Sequence, residues 1–242
     1  MGTLNVVGIG PGAKEHMTIL AYETLKESDI IVGYTKYIAL LTEEFDGIKK
    51  ISTGMGSEEE RCRMALDEAS KDSNVSLICS GDSVIYGMAG LVYELLSDYE
   101  NVDVKVIPGV TAAISGSSLI GAGIGNDFSV ISLSNYLTDK EDTYKRLRAC
   151  AEADLVIVLY NPVSNKRPDC LSNACDYLMN IIPHDRVCAV AKNIGRENEC
   201  YEVMTLKELR EFKADMFSTV FIGSSNTVCV NNKFVTRRGY KV

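Results

Sequence analysis

Short apolar runs alternate with amphipathic stretches through the first half of the chain. The runs are rich in β-branched residues and predict strands over 4–9, 29–32, 75–79 and 102–107. Apolar positions spaced three and four apart predict helices over 18–27, 57–71 and 86–96, with Ser57 as a cap of the second. Strands buried on both faces read as continuous apolar runs, so this alternation indicates a largely parallel sheet.

The second half has a different pattern, in which several strands follow one another without a helix between them. Predicted strands cover 128–133, 155–160, 187–191, 201–204 and 219–222, and predicted helices cover 140–151 and 168–179. A further apolar strand region covers 227–235, and within it the segment 228–235, which contains Asn231-Asn232-Lys233, predicts a hairpin. We expect a mixed sheet with antiparallel members here. A small-residue segment separates the halves, so the sequence predicts α/β domains over 1–120 and 121–242.

Three loops rich in small residues each follow a predicted apolar strand. Their sequences are GIGPG at 8–12, SGDSVIYG at 80–87 and PGVTAA at 108–113. In an open α/β sheet, ligands bind beyond the carboxyl ends of the strands. Since three such loops are expected to converge on one edge, we predict a ligand site there.

The first loop raises the possibility of a dinucleotide site. Gly8, Gly10 and Ala13 formally fit the G-x-G-x-x-G/A pattern. That fold also needs an acidic residue at the end of the second strand, where this chain has Gly33-Tyr34, and Pro11 removes a backbone N–H. No Gly-Lys-Ser/Thr follows, so a Walker-type phosphate loop is excluded. An NAD-binding oxidoreductase stays open as an alternative.

Composition and charge limit the classes of partner that we expect for this chain. The chain has 242 residues, of which 46% are hydrophobic, and a net charge of -8. The acidic balance disfavours nucleic acid as the main partner. No run approaches the roughly 20 apolar residues of a membrane span, and no signal peptide is evident. The eight cysteines form no CxxC pair and only two histidines accompany them. We therefore expect no metal site, free thiols, and a cytoplasmic protein.

Four motifs in order, GIGPG, SGDSVIYGMAG, PGVTAA and LYNP, resemble those of the tetrapyrrole methylases. The resemblance runs from Val6 to about Arg238. It implies two α/β domains with a trough between them that holds S-adenosylmethionine, usually in a homodimer. The stretches NDFSVISLSNYLT and AKNIGRENE are similar to methylases of corrin construction. The resemblance thus implies methylation at carbon 17 of precorrin-3B or cobalt-factor III, with contraction of the macrocycle.

The resemblance also implies roles for individual residues. Cofactor contacts fall on Pro11, Ser80, Gly81, Asp82, Ile85, Thr111, Ala112, Tyr160, Ile194 and Gly195. Substrate contacts fall on Gly10, Gly12, Lys166 and Arg167, the last two as cations for substrate carboxylates. Candidates for the proton transfer of ring contraction are Tyr34, Ser134 and Lys192.

Several interpretations stay open. Asp82 can hold ribose hydroxyls or favour the sulfonium charge, or it can simply cap the following helix or turn. The acceptor can be another tetrapyrrole, a diphthamide precursor or RNA, although the acidic balance disfavours RNA. A non-catalytic tetrapyrrole carrier is a further alternative. Binding of S-adenosylhomocysteine would favour the methylase, whereas binding of NAD without it would favour the oxidoreductase.

Overall fold

The computed structural model describes residues 1–134, 139–163 and 167–240. The chain divides into two compact units, Met1–Thr111 and Ala112–Val242. The division lies at the start of the helix Ala112–Ile120, whereas the sequence placed it at the end of that helix. This helix therefore groups with the second unit.

The first unit is a five-stranded parallel sheet with helices between its strands. Its strands are β1 (Gly2–Gly8), β2 (Ile30–Tyr34), β3 (Lys49–Thr53), β4 (Asn74–Cys79) and β5 (Val102–Ile107). Its α-helices are α1 (Ile19–Lys26), α2 (Thr35–Ile38), α3 (Glu58–Ala69) and α4 (Ala89–Leu95). Short 3-10 turns cover Lys14–His16, Glu43–Phe45 and Leu96–Asp98. The strand order is β3-β2-β4-β1-β5, and every pair is parallel, as predicted.

Each face of this sheet is buried by a different set of helices. Leu4 and Val6 of β1 pack in one apolar cluster with Leu66 of α3. Val7, one residue further on, packs in another cluster with Leu25 of α1. Successive side chains of a strand point to opposite faces, so the continuous apolar run of β1 supplies both layers.

The second unit contains a five-stranded mixed sheet and a smaller three-stranded one. The elements of this unit are α5 (Ala112–Ile120), β6 (Gly121–Ala122), β7 (Phe128–Ser132), α6 (Lys140–Glu152), β8 (Val156–Tyr160), α7 (Cys170–Leu178), β9 (Val187–Lys192), β10 (Cys200–Thr205), α8 (Leu206–Leu209), β11 (Ser218–Ile222), β12 (Thr227–Val230) and β13 (Lys233–Thr236). The larger sheet has the order β10-β9-β11-β8-β7, with only β7 and β8 parallel. The predicted mixed sheet is confirmed.

The predicted hairpin is also confirmed. β12 and β13 pair antiparallel, and their connection is Asn231-Asn232 with φ of 48° and 60°. Two successive residues with positive φ are the requirement of a type I′ turn, which asparagine tolerates better than most residues. β13 pairs on its other side with the two-residue strand β6, which no sequence pattern indicated.

Two local predictions were wrong. The helix expected from residue 86 begins at Ala89, because Tyr86 has a φ of 53°, outside the helical region. Ser57 stands at the cap position of α3 but its side chain makes no capping hydrogen bond. Across the described part of the chain, no helix is both long and apolar enough to span a membrane.

Candidate functional site

The three small-residue loops follow β4, β1 and β5, which are neighbours in the first sheet, so they meet at one edge as predicted. The loops after β1 and β4 are joined by two backbone hydrogen bonds. Gly10 donates to the Gly81 carbonyl at 3.0 Å, and Gly81 donates to the Gly10 carbonyl at 2.7 Å. The two glycines have φ of 75° and 74°, a region that residues with a Cβ rarely adopt. This bridge fixes the two loops to each other.

The third loop packs against the other two backbone to backbone. A Cβ placed on Gly109 would lie 2.2 Å from the Gly81 carbonyl oxygen and 2.6 Å from that of Gly8. A Cβ placed on Gly8 would lie 2.7 Å from the Gly109 nitrogen. Only glycine fits at these positions. The three loops, 8–12, 80–87 and 108–111, are called the glycine edge below.

Asp82 ties the glycine edge together with its side chain. One carboxylate oxygen accepts from the N–H groups of Val84 at 2.8 Å and Ile85 at 3.0 Å, and the other accepts from Gly109 at 2.9 Å. Burial raises the pKa of Asp82, but these backbone donors outweigh it and hold the pKa below the usual value. The carboxylate is therefore charged and already serves as the turn residue that the sequence kept as an alternative.

The loop after β4 presents apolar side chains to solvent while its backbone is fixed beneath them. Ser83 is fully buried and donates to the Ile107 carbonyl at 2.9 Å, which attaches the loop to β5. Val84, Ile85 and Tyr86 are exposed by 63%, 41% and 58%. These apolar side chains are therefore available for contact with another molecule.

The remaining predicted residues of the first unit lie at or beside the same edge. Pro11 and Thr111 are buried, and Gly12 and Ser80 are half-buried. Tyr34 is the last residue of β2, the strand next to β4. Its ring packs edge-on against that of Tyr37, with 5.1 Å between centroids.

In the second unit, Tyr160 holds the start of a helix. Its hydroxyl accepts a hydrogen bond from the Ala113 N–H at 2.7 Å, and Ala113 is in the first turn of α5. The first N–H groups of a helix have no partner within it, so this contact satisfies one of them. Ala112, a predicted cofactor contact, is the first residue of the same helix.

Two predicted residues, Ser134 and Arg167, contact each other. The Arg167 guanidinium donates to the Leu133 carbonyl at 3.0 Å and to the Ser134 hydroxyl at 3.3 Å. Arg167 therefore already has acceptors within its own unit. Lys166, the other predicted cation for substrate carboxylates, lies outside the described residues.

Lys192 is not placed to act together with Ser134. Lys192 ends β9 and Ser134 follows β7, and two strands, β11 and β8, lie between them in the sheet. Its ammonium pairs with Asp215 at 2.6 Å, and this bond raises the pKa of Lys192. A protonated ammonium can donate a proton or bind an anion but cannot serve as a base.

The next predicted residues along the chain form a tight turn. Ile194 is buried, and Gly195 has a φ of 66° and donates its N–H to the Glu199 carboxylate at 2.5 Å. Ile194 also packs against the face of α5, where a Cβ on Gly116 would lie 3.0 Å from its side chain. The turn is thus supported by the same helix whose start Tyr160 holds.

The thiols offer a test of the fold. Burial raises the pKa of Cys62 and Cys175 to about 12 and that of Cys79 to about 11, and Cys188 is raised as well. Cys200 and Cys229 are exposed. We expect a disulfide reagent at pH 8 to modify these two rapidly and the four buried thiols only after denaturation, as measured by mass spectrometry of the native and unfolded protein. Rapid native labelling of Cys62 or Cys188 would contradict the described packing.

The described residues were also compared with the requirements of a metal site. Within the ranges that the structure describes, no group of three or more histidine, cysteine, aspartate or glutamate side chains could hold a metal ion.

Arg61, at the same edge of the first sheet, is a polar residue that sequence reasoning missed. It belongs to the predicted amphipathic helix over 57–71, and nothing in the pattern distinguishes it from Arg63.

Several known proteins are similar to this chain in sequence and in fold. The sequence profile of the Tetrapyrrole (Corrin/Porphyrin) Methylases matches residues 3–210. A probable cobalt-factor III C(17)-methyltransferase of Salmonella typhimurium is 43% identical over 98% of this chain and 99% of its own. A precorrin-3B C(17)-methyltransferase of Sinorhizobium is 36% identical over 93% of this chain and 90% of its own. The crystal structure of the methyltransferase CobJ matches with a TM-score of 0.92 at 29% identity, over 98% of this chain and all of that one.

Proposed function

Because the chain belongs to the tetrapyrrole methylases, we propose that it methylates carbon 17 of precorrin-3B or cobalt-factor III, with contraction of the macrocycle. The methyl donor in this proposal is S-adenosylmethionine. The observation that carries the proposal is the glycine edge, a rigid backbone cradle at the carboxyl ends of three adjacent strands. Similarity to named methyltransferases over nearly the full chain supports the same reaction.

The chemistry of the glycine edge fits such a donor. S-adenosylmethionine supplies a methyl group on a sulfonium, which an electron-rich carbon takes while the electron pair of the broken C–S bond stays on sulfur. A carboxylate near a sulfonium is electrostatically favourable, and Asp82 is held charged by its backbone donors. In this proposal the backbone of the edge orients the reactants, and exclusion of water from the site also contributes to the rate.

The predicted residue roles continue as parts of this proposal. In the first unit the cofactor contacts are Pro11, Ser80, Gly81, Asp82, Ile85 and Thr111, with Gly10 and Gly12 beside the substrate. In the second unit the proposed cofactor contacts are Ala112, Tyr160, Ile194 and Gly195. Asp82 has a positioning role that its hydrogen bonds already describe, in addition to any contact with the donor.

Three residues are candidates for the proton transfer that accompanies ring contraction. Tyr34, Ser134 and Lys192 remain the candidates, with Lys192 restricted to donating a proton or binding an anion. Lys166 and Arg167 remain the proposed cations of the second unit for substrate carboxylates. The assembly we propose is a homodimer located in the cytoplasm.

Calorimetric titration of the wild-type protein with S-adenosylhomocysteine and, separately, with NAD tests the proposal. We expect S-adenosylhomocysteine to bind with a micromolar Kd, about -8 kcal/mol, and NAD to give no heat. Binding of NAD alone would instead support an oxidoreductase. Binding of a corrin precursor without methyl transfer would support a carrier.

The acceptor is then identified by incubation with labelled S-adenosylmethionine. Cobalt-factor III and precorrin-3B are compared in parallel under anaerobic conditions, and the product mass is measured. A gain of one methyl group on either macrocycle supports the assigned class. Methylation of neither, with S-adenosylhomocysteine bound, would redirect the assignment to another acceptor of the family.

A further inference from the structure

Arg61 is a buried cation that has no anionic partner within the described part of the chain. It is 3% exposed. Its nitrogens donate to the Thr53 hydroxyl at 2.9 Å, the Gly54 carbonyl at 2.8 Å and the Met88 sulfur at 3.5 Å. All three acceptors are neutral. Among the described residues, no carboxylate lies within ion-pair distance of this guanidinium.

The guanidinium lies at the edge of the sheet where the glycine edge also lies. Thr53 and Tyr34 are the last residues of β3 and β2, and the Arg61 guanidinium carbon is 5.8 Å from the centre of the Tyr34 ring. Met88 directly precedes α4 and follows the loop of Asp82. The charge therefore lies at the carboxyl ends of β2 and β3, beside the residue that precedes α4.

Burying the Arg61 charge without an anion costs folding free energy, which a purely structural role does not explain. Removing a charge from water costs several kcal/mol unless a partner of opposite sign is close. A hydroxyl, a carbonyl and a sulfur satisfy one N–H on each nitrogen, and the Tyr34 ring lies against the guanidinium, but none of these groups is an anion. One N–H on each terminal nitrogen has no partner among the described residues, and a carboxylate is the acceptor that a guanidinium binds most strongly.

We propose that Arg61 binds a carboxylate of the tetrapyrrole substrate. This inference rests on the proposed function, which supplies a substrate bearing several carboxylates. The guanidinium acts as a specificity-determining group of the first unit: it favours an anionic macrocycle at the carboxyl edge of the sheet and disfavours a neutral one. Tyr34 is half-buried beside it and is the side chain whose ring borders the bound carboxylate.

The test compares Arg61→Met and Arg61→Lys with a matched control, Arg63→Met. Arg63 is on the same helix, two positions along, and pairs on the surface with Glu59 and Asp98. Steady-state kinetics with cobalt-factor III, calorimetry with S-adenosylhomocysteine and thermal unfolding are measured for each variant. We expect Arg61→Met to raise KM for cobalt-factor III about tenfold to a hundredfold, the effect of one charge-assisted carboxylate contact. We expect kcat to stay within about threefold of the wild type.

The remaining readouts separate a substrate contact from a structural pin. The Kd for S-adenosylhomocysteine should be unchanged in Arg61→Met. The melting temperature of the ligand-free variant should stay close to that of the wild type, because relief of the unpaired buried charge offsets the lost hydrogen bonds to Thr53 and Gly54. Arg61→Lys should give an intermediate KM, and Arg63→Met should behave as the wild type. The fully esterified macrocycle should bind wild type and Arg61→Met equally.

Contrary results have distinct meanings. An unchanged KM in Arg61→Met overturns the proposal while leaving the methyltransferase assignment intact. A joint loss of S-adenosylhomocysteine binding and melting temperature identifies Arg61 as a structural pin and also overturns it. A wild-type protein that neither binds S-adenosylhomocysteine nor methylates a macrocycle overturns the proposed function, and the Arg61 proposal with it.

Discussion

Replacing Gly109 with alanine is expected to reduce methyl transfer by at least a hundredfold. The new Cβ would lie 2.2 Å from one carbonyl oxygen and 2.6 Å from another, both backbone atoms of the neighbouring loops. Neither atom can rotate away, so the loop 108–111 has to move as a whole. Displacement of the loop also breaks the bond from the Gly109 N–H to Asp82. A misplacement of about 1 Å at a reaction centre is enough for a hundredfold loss.

The measurement is kcat/KM for methyl transfer together with the Kd for S-adenosylhomocysteine. A matched control is Gly90→Ala, an exposed position in α4 with nothing within 4 Å of the added Cβ. Because alanine is the better helix former, this control should be more stable by about 0.5–1 kcal/mol and fully active. Full activity of Gly109→Ala would mean that the glycine edge does not shape the site.

Replacing Asp82 with alanine is expected to weaken S-adenosylhomocysteine binding at least tenfold and to destabilise the protein by about 2–3 kcal/mol. The change leaves three backbone N–H groups without their charged acceptor, each needing a new partner. Asp82→Asn is predicted to recover only part of the loss, since an amide offers one acceptor oxygen where the carboxylate offers two. Calorimetry and urea unfolding measure both quantities.

The sign of the pH dependence follows from the direction of the pKa shift. The folded pKa of Asp82 lies below the unfolded value, so its stabilisation is present above the unfolded pKa and is lost as pH falls through the folded pKa. The Asp82→Ala variant should lack this contribution to the acid side of the stability profile.

The control for this change is Asp29→Ala. Asp29 also accepts one backbone N–H, from Asn74 at 2.8 Å, but at the opposite, amino-terminal edge of the same sheet. We expect a loss of about 1 kcal/mol and no change in ligand affinity. An equal drop in affinity in both variants would attribute the effect to stability alone and count against a role for Asp82 at the site.

Periodicity predicted the elements that bury a continuous or alternating apolar face, because burial dictates the pattern. It missed β3, whose sequence Lys49–Thr53 is largely polar and only partly buried. It placed the start of α4 three residues early, because Tyr86, directly after the turn that Asp82 closes, has a positive φ. That turn depends on Gly109, which is distant in sequence.

The candidate site divides in the same way. The three loops could be found from their composition, because glycine and small residues are needed wherever backbones approach closely. The partners of individual side chains could not. Asp82 clamps a loop, Lys192 pairs with Asp215, and Arg61 has no counter-ion among the described residues; all three depend on tertiary structure. No local pattern distinguishes a buried arginine from an exposed one two positions away.

The mutual hydrogen bonds of Gly10 and Gly81 have a thermodynamic consequence for ligand binding. Each loop is ordered by its neighbours before any ligand arrives, so little conformational entropy is lost when one binds. The bond from the Gly109 N–H to Asp82 ties the third loop to this pair, so we expect the three loops to open together in local unfolding. If the proposed site lies here, we expect its ligand affinity to follow the local unfolding equilibrium of the first sheet. Distant mutations that loosen β1, β4 or β5 should then weaken binding without contacting the ligand.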